Sequence, residues 1–288
     1  MSVDQNIGVV GLGLMGTAIT ERLLEHGYQA TVWNRTKDQA EKLISQGAHW
    51  SDNPLAECRR VIVSLYNSDV VAEVMHTMSP GLRAGQVVVD TTTGEPSDAV
   101  ELAGRLAARG VRYLDAPISG SSEQTRRGEA TVMVGGDAAD FEACADLWPI
   151  LGLRTFHVGG CGSAAKMKLV ANLVLGLNRA ALAEGLAFAE SIGIDPAAAL
   201  DVLKGSPAYS KTMDTKGRKM IENDFQVQAR LSQHLKDVRL MLSAVQDSGL
   251  SLPLTGTHAE LLEKAEAAGL GELDNSAIIR VYRDQSPG

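Results

Sequence analysis

The run Gly11-Leu12-Gly13-Leu14-Met15-Gly16 follows the apolar stretch Ile7-Gly8-Val9-Val10 directly and leads into an amphipathic segment at 18–25. Glycines spaced G-x-G-x-x-G in that setting allow a tight strand-to-helix turn. They also let a pyrophosphate reach backbone N–H groups at the helix N-terminus. Glycine alone says little in a chain that holds 29 of them in 288 residues. The strand before the run and the helical pattern after it make this a dinucleotide-binding loop, and commit the start of the chain to an α/β fold.

The rest of the first half agrees. β-Branched runs at 30–33, 61–64, 87–90, 113–114 and 131–134 alternate with amphipathic segments, the pattern of buried parallel strands joined by crossover helices. After Gly162 the strand signals stop, and Ser163 to Ile192 reads as one helix of about 30 residues, roughly 45 Å long. Gly193 suits its C-terminal cap, and Asp195-Pro196 starts the next helix. Further helical patterns cover 196–203, 231–246 and 258–268. The predicted architecture is an N-terminal Rossmann-type doubly wound domain over 1–162, followed by an all-α domain over 163–288 entered through the long helix.

A formal charge of −8 is unsuited to holding nucleic acid or an anionic membrane surface. Cys58, Cys144 and Cys161 form no CxxC pair, which predicts neither a disulfide framework nor a zinc site and fits a reducing compartment. None of the six histidines stands at metal-ligand spacing. No basic leader with an apolar run opens the chain, and the apolar stretch 169–177, broken by Asn172, falls short of the roughly 20 residues a bilayer needs. A cytoplasmic protein without metal, nucleic-acid or membrane partners is expected.

The second strand indicates which dinucleotide. An NAD site places an acidic residue there for the ribose hydroxyls, whereas this strand ends in Trp33-Asn34-Arg35-Thr36. Arg35 can pair bidentately with a 2′-phosphate, and Asn34 and Thr36 can donate to it, so NADP(H) is favoured.

Four separated segments resemble the β-hydroxyacid dehydrogenase family of 3-hydroxyisobutyrate dehydrogenase, tartronate semialdehyde reductase and the glyoxylate or succinic semialdehyde reductases. They are the nucleotide-binding run 8–16, Asp90-Thr91-Thr92-Thr93-Gly94-Glu95-Pro96, Asp115-Ala116-Pro117-Ile118-Ser119-Gly120-Ser121, and the helix start 162–172. Lys236-Asp237 and Asp274-Asn275-Ser276-Ala277 also fit. The resemblance implies an active site in the cleft between the domains and a subunit interface built on the long helix, in a homodimer or homotetramer. It also implies that Leu65 and Thr93 lie against the cofactor and that Lys236 approaches its nicotinamide end.

Hydride delivery to a carbonyl carbon leaves charge on oxygen, so such a site needs a positioned acid and a holder for the rest of the substrate. Lys166 and Lys168 compete for the first role. They point nearly opposite ways on a helix, and only Lys168 stands one turn from Asn172, matching the family's Lys-x-x-x-Asn. Ser119, Gly120 and Ser121 would by resemblance hold a substrate carboxylate, although the family more often has Gly where Ser121 stands. Arg126 and Arg127 could reach a second anionic group, although an exposed arginine pair is more often solvated surface. Reduction of a small aldehyde or keto acid by NADPH is the expected activity. A 3-hydroxyisobutyrate-type oxidation, an imine reductase and a non-catalytic module on the same scaffold remain as alternatives.

Overall fold

The computed structural model describes residues 4–283 and divides into two compact units, Met1–Lys168 and Leu169–Gly288. In the first unit nine strands form one sheet among the described residues: β1 (Asn6–Val10), β2 (Gln29–Trp33), β3 (His49–Trp50), β4 (Arg60–Val63), β5 (Val87–Asp90), β6 (Arg112–Asp115), β7 (Ile118–Ser119), β8 (Thr131–Gly135) and β9 (Arg154–Gly159). Their order is β3-β2-β1-β4-β5-β6-β8-β7, with β9 on β8. The strands from β3 to β6 run parallel, as the alternating sequence pattern requires.

Burial on both faces explains the unbroken apolar runs. Ile7, Val9, Ile62, Val87 and Val89 enter one core cluster, while Val10, Val61, Val63 and Val88 enter another on the opposite face. Three strands had no clear sequence signal. β3 and β7 have two residues each, and β9 reads Arg-Thr-Phe-His-Val-Gly with every residue at least partly exposed. β8 pairs antiparallel with β6 and β7, so the sheet is mixed at that end.

Six helices matter below: α1 (Leu14–Glu25), α2 (Pro96–Ala107), α3 (Ser122–Arg126), α4 (Ser163–Ser191), α5 (Leu231–Ser243) and α6 (Pro253–Ala267). The expected long helix is there with 29 residues. As a whole it reaches bilayer-spanning length and composition, which the stretch 169–177 alone does not. Its Leu182, Ala183 and Leu186 nevertheless lie in the core of the second unit with Leu231, Leu235 and Leu262 from α5 and α6. Among the described residues, that unit is helical apart from an isolated bridge between Arg230 and Asp274. Asp274, fully buried, accepts hydrogen bonds from Lys216 Nζ at 2.8 Å, from the Ser276 hydroxyl and from the Gln228 N–H. Although burial opposes ionisation, Lys216 and these donors hold its carboxyl down at about 2. Its motif thus closes the second unit.

Candidate active site

The glycine loop begins where β1 ends. Gly11 has φ +97°, and a Cβ there would lie 2.3 Å from the Ser64 carbonyl oxygen. At Gly16 it would lie 1.9 Å from the Gly11 carbonyl, so both positions require glycine. Gly13 differs, because nothing stands within 4 Å of where its Cβ would be. It is the N-cap of α1, has no side-chain cap bond, and leads into a first turn without acidic residues. An uncapped N-terminus facing open space fits a pyrophosphate.

Neighbouring strand ends complete this edge of the sheet. Asn34 Oδ1 accepts the Leu12 N–H at 3.0 Å, and its Nδ2 donates to the Thr36 carbonyl and to Gln39 Oε1. The Asn34 amide is committed to holding the glycine loop against the end of β2. Arg35 and Thr36 are exposed beyond it; among the described residues no carboxylate pairs with Arg35, and the Thr36 side chain makes no cap bond. Leu65 lies beside Gly11, with its N–H on Thr92 Oγ1, and Thr93 follows at the end of β5. The loop, Arg35, Thr36, Leu65 and Thr93 thus gather at the carboxyl ends of the parallel strands, where doubly wound sheets bind ligands.

The turn Ser119-Gly120-Ser121 leads from β7 into α3, and Thr125 on that helix touches Met15 Sδ at 3.8 Å. Among the described residues no protein group hydrogen-bonds the Ser119 hydroxyl. Ser121 is engaged: its Oγ accepts the Gln124 N–H while its own N–H donates to Gln124 Oε1, a capping box. Arg126 pairs with Glu21, and Arg127 pairs with Glu123 and Glu129. Both arginines thus have carboxylate partners within the fold.

Lys168, only 7% exposed, donates from Nζ to the Ile118 carbonyl at 2.7 Å, immediately before this turn. Asp115, at the other end of the same short segment, accepts the Gly162 N–H at 3.0 Å and the Ala165 N–H at 2.9 Å. The stretch 115–118 therefore holds the start of α4 twice. Burial raises the Asp115 carboxyl above its usual range, opposed by those backbone donors. Alongside it, burial pushes Asp90 up to about 6 despite its bonds from Thr92 and the Tyr113 hydroxyl.

In the second unit, Asn172 Nδ2 donates to Asp237 Oδ2 at 2.8 Å, and Lys236 Nζ lies 3.3 Å from Asp237 Oδ1. One carboxylate thus gathers both expected residues. In the sequence Asp237 stands out only through its place beside Lys236. His234 and His258 form a buried pair with Nε2···Nε2 3.1 Å, and among the described residues no metal-binding cluster occurs.

A glycine loop on a parallel sheet, with a buried lysine held beside a serine-glycine turn, defines a dinucleotide-dependent oxidoreductase. Residues 6–159 match the NAD binding domain of 6-phosphogluconate dehydrogenase, and 162–282 match the NAD-binding domain of NADP-dependent 3-hydroxyisobutyrate dehydrogenase. The chain belongs to the β-hydroxyacid dehydrogenase family. It is 30% identical to glyoxylate/succinic semialdehyde reductase 1 of Arabidopsis thaliana, covering 96% of this chain and 98% of that protein. It is 32% identical to 2-(hydroxymethyl)glutarate dehydrogenase of Eubacterium barkeri, covering 99% and 97%. Human cytokine-like nuclear factor N-PAC is 30% identical, but the chain spans only 52% of its length. Among solved structures, Psf3 in complex with NADP+ and 2-OPP superposes with TM-score 0.90 at 26% identity, covering 96% of this chain and 99% of that one.

Proposed function

We propose that this NAD(P)-dependent dehydrogenase works as an NADPH-dependent reductase of a small aldehyde or keto acid, with Lys168 as the proton donor. The observation that carries the reading is the buried Lys168 ammonium held on the Ile118 carbonyl, one residue from Ser119. The cofactor supplies the hydride when bound, and Gly11, Gly13, Gly16, Leu65 and Thr93 would hold it. Exposed Arg35, with no acidic residue beside it at the end of β2, supports NADP over NAD. The bond to Ile118 fixes where the ammonium stands, so the substrate oxygen receives its proton from Nζ in one orientation. Ser119 offers its hydroxyl to the rest of the substrate, while Asn172 and Lys236 are kept in place by Asp237. NADPH and NADH oxidation followed at 340 nm with glyoxylate, small semialdehydes and cyclic imines tests this. Reduction of the aldehydes with NADPH preferred is expected; reduction of imines alone overturns it.

Assembly follows from α4. Val170, Val174 and Phe188 stand 53–61% exposed at helical spacing along one face, an apolar stripe that solvent disfavours. A second copy of the chain covers it in a homodimer. Light scattering should give twice the chain mass, and Val174→Glu with Phe188→Glu should give the monomer.

A further inference from the structure

The substrate turn carries a device that the proposed function does not use. Gln124 folds back from the first turn of α3, placing Oε1 on the Ser121 N–H at 2.9 Å, and a Cβ added to Gly120 would lie 3.5 Å from that oxygen. Its own N–H is returned to Ser121 Oγ at 3.2 Å. A neutral acceptor thus already occupies one of the backbone donors with which such a turn would hold a carboxylate. Neither arginine near the turn compensates, because Arg126 pairs with Glu21 and Arg127 with Glu123 and Glu129; the Lys168 ammonium lies at the other end of the turn, on the Ile118 carbonyl.

We propose that Gln124 is a specificity-determining residue whose side-chain oxygen screens the Ser121 N–H and weakens the turn's preference for carboxylate-bearing substrates. This rests on the reductase reading above. A carboxylate that takes the Ser121 N–H must displace Oε1, losing half of the capping box, or else approach a second acceptor lone pair at close range. A substrate with a neutral polar group meets neither penalty. Among the described residues no protein group accepts from Gln124 Nε2, so that amide also offers a neutral donor beside the turn. The pocket accordingly takes uncharged carbonyl compounds alongside the acids.

Succinic semialdehyde and its methyl ester differ in charge at the end remote from the reacting carbonyl, and so separate the two cases. Gln124→Ala, and Gln124→Met with nearly the native volume, should lower KM for the acid about three- to tenfold, the size of one net neutral hydrogen bond. KM for the ester should stay within twofold. Thermal melting of each variant checks that the fold survives loss of the cap. An unchanged ratio of acid to ester in folded variants overturns the proposal. If the wild-type chain reduces neither compound, the reductase reading fails by itself, and the turn is then judged by calorimetric titration of succinate with NADP present. Three- to tenfold tighter binding in Gln124→Ala upholds the screening, and equal binding refutes it.

Discussion

Lys168 Nζ and the Ile118 carbonyl oxygen, 50 residues apart in sequence, lie 2.7 Å apart. The contact ties the start of α4 to the segment that leads into the Ser119-Gly120-Ser121 turn, so any change in how α4 begins alters where the ammonium stands.

Asp115 is the second tie, and its replacement separates positioning from chemistry. Asp115→Asn keeps the size but puts an NH2 against Gly162 or Ala165, whose N–H groups are donors too. With one buried donor left unmatched, unfolding free energy should drop by about 1–3 kcal/mol, read by urea titration. NADPH affinity, measured by fluorescence, should stay near wild type while kcat falls at least tenfold. An intact kcat would contradict the positioning role.

In the proposed function Arg35 is the residue that favours NADP. Losing a charge-assisted pair of about 1.5–3 kcal/mol, Arg35→Ala should raise KM for NADPH roughly 10- to 100-fold and leave KM for NADH within about threefold. Equal effects on both cofactors would remove the 2′-phosphate from the explanation.

Gly16 tests the loop itself. Because an added Cβ would sit 1.9 Å from the Gly11 carbonyl oxygen, Gly16→Ala must push the two ends of the loop apart. NADPH should no longer quench the intrinsic fluorescence at concentrations that saturate the wild type, whereas Gly104→Ala, with no atom within 4 Å, should bind normally.

The second unit predicts a pH dependence. Burial first, and the nearby Arg179 charge second, hold His258 down at about 4 against 6.5 for the free side chain. Between those values the unfolded chain binds a proton that the folded one refuses. This contribution is therefore complete above pH 6.5 and is lost as pH falls towards 4, amounting to about 3 kcal/mol. Asp90 works in the opposite sense, since its raised carboxyl favours the folded state as pH drops from 6 towards 4. The informative quantity is the gap in urea midpoint between wild type and His258→Gln, which should narrow between pH 7 and pH 4.5. A constant gap would mean that His258 does not titrate with unfolding.

Much of the fold was legible because its main signals are local. The buried strands β1, β4 and β5 carry continuous apolar runs, and α4 is bounded by Gly162 and Gly193. β9 was not legible, since an edge strand with one exposed face needs no such run. At the site, glycine spacing and the Lys168–Asn172 turn could be read directly, but the partners of Asn34, Arg126 and Arg127 could not. Those depend on Leu12, Glu21 and Glu123 arriving through the fold, which composition and spacing leave open. The Ser121-x-x-Gln124 pattern is a capping-box signature readable from sequence alone, hidden here by the attention that the preceding serine and glycine draw.

In the proposed reaction Lys168 donates the proton. Single-turnover reduction of succinic semialdehyde by bound NADPH can be compared between wild type and Lys168→Ala of equal cofactor affinity. The variant's rate should be lower by about 10²- to 10⁴-fold, as for loss of a general acid. A rate within threefold of wild type would mean that another group supplies the proton.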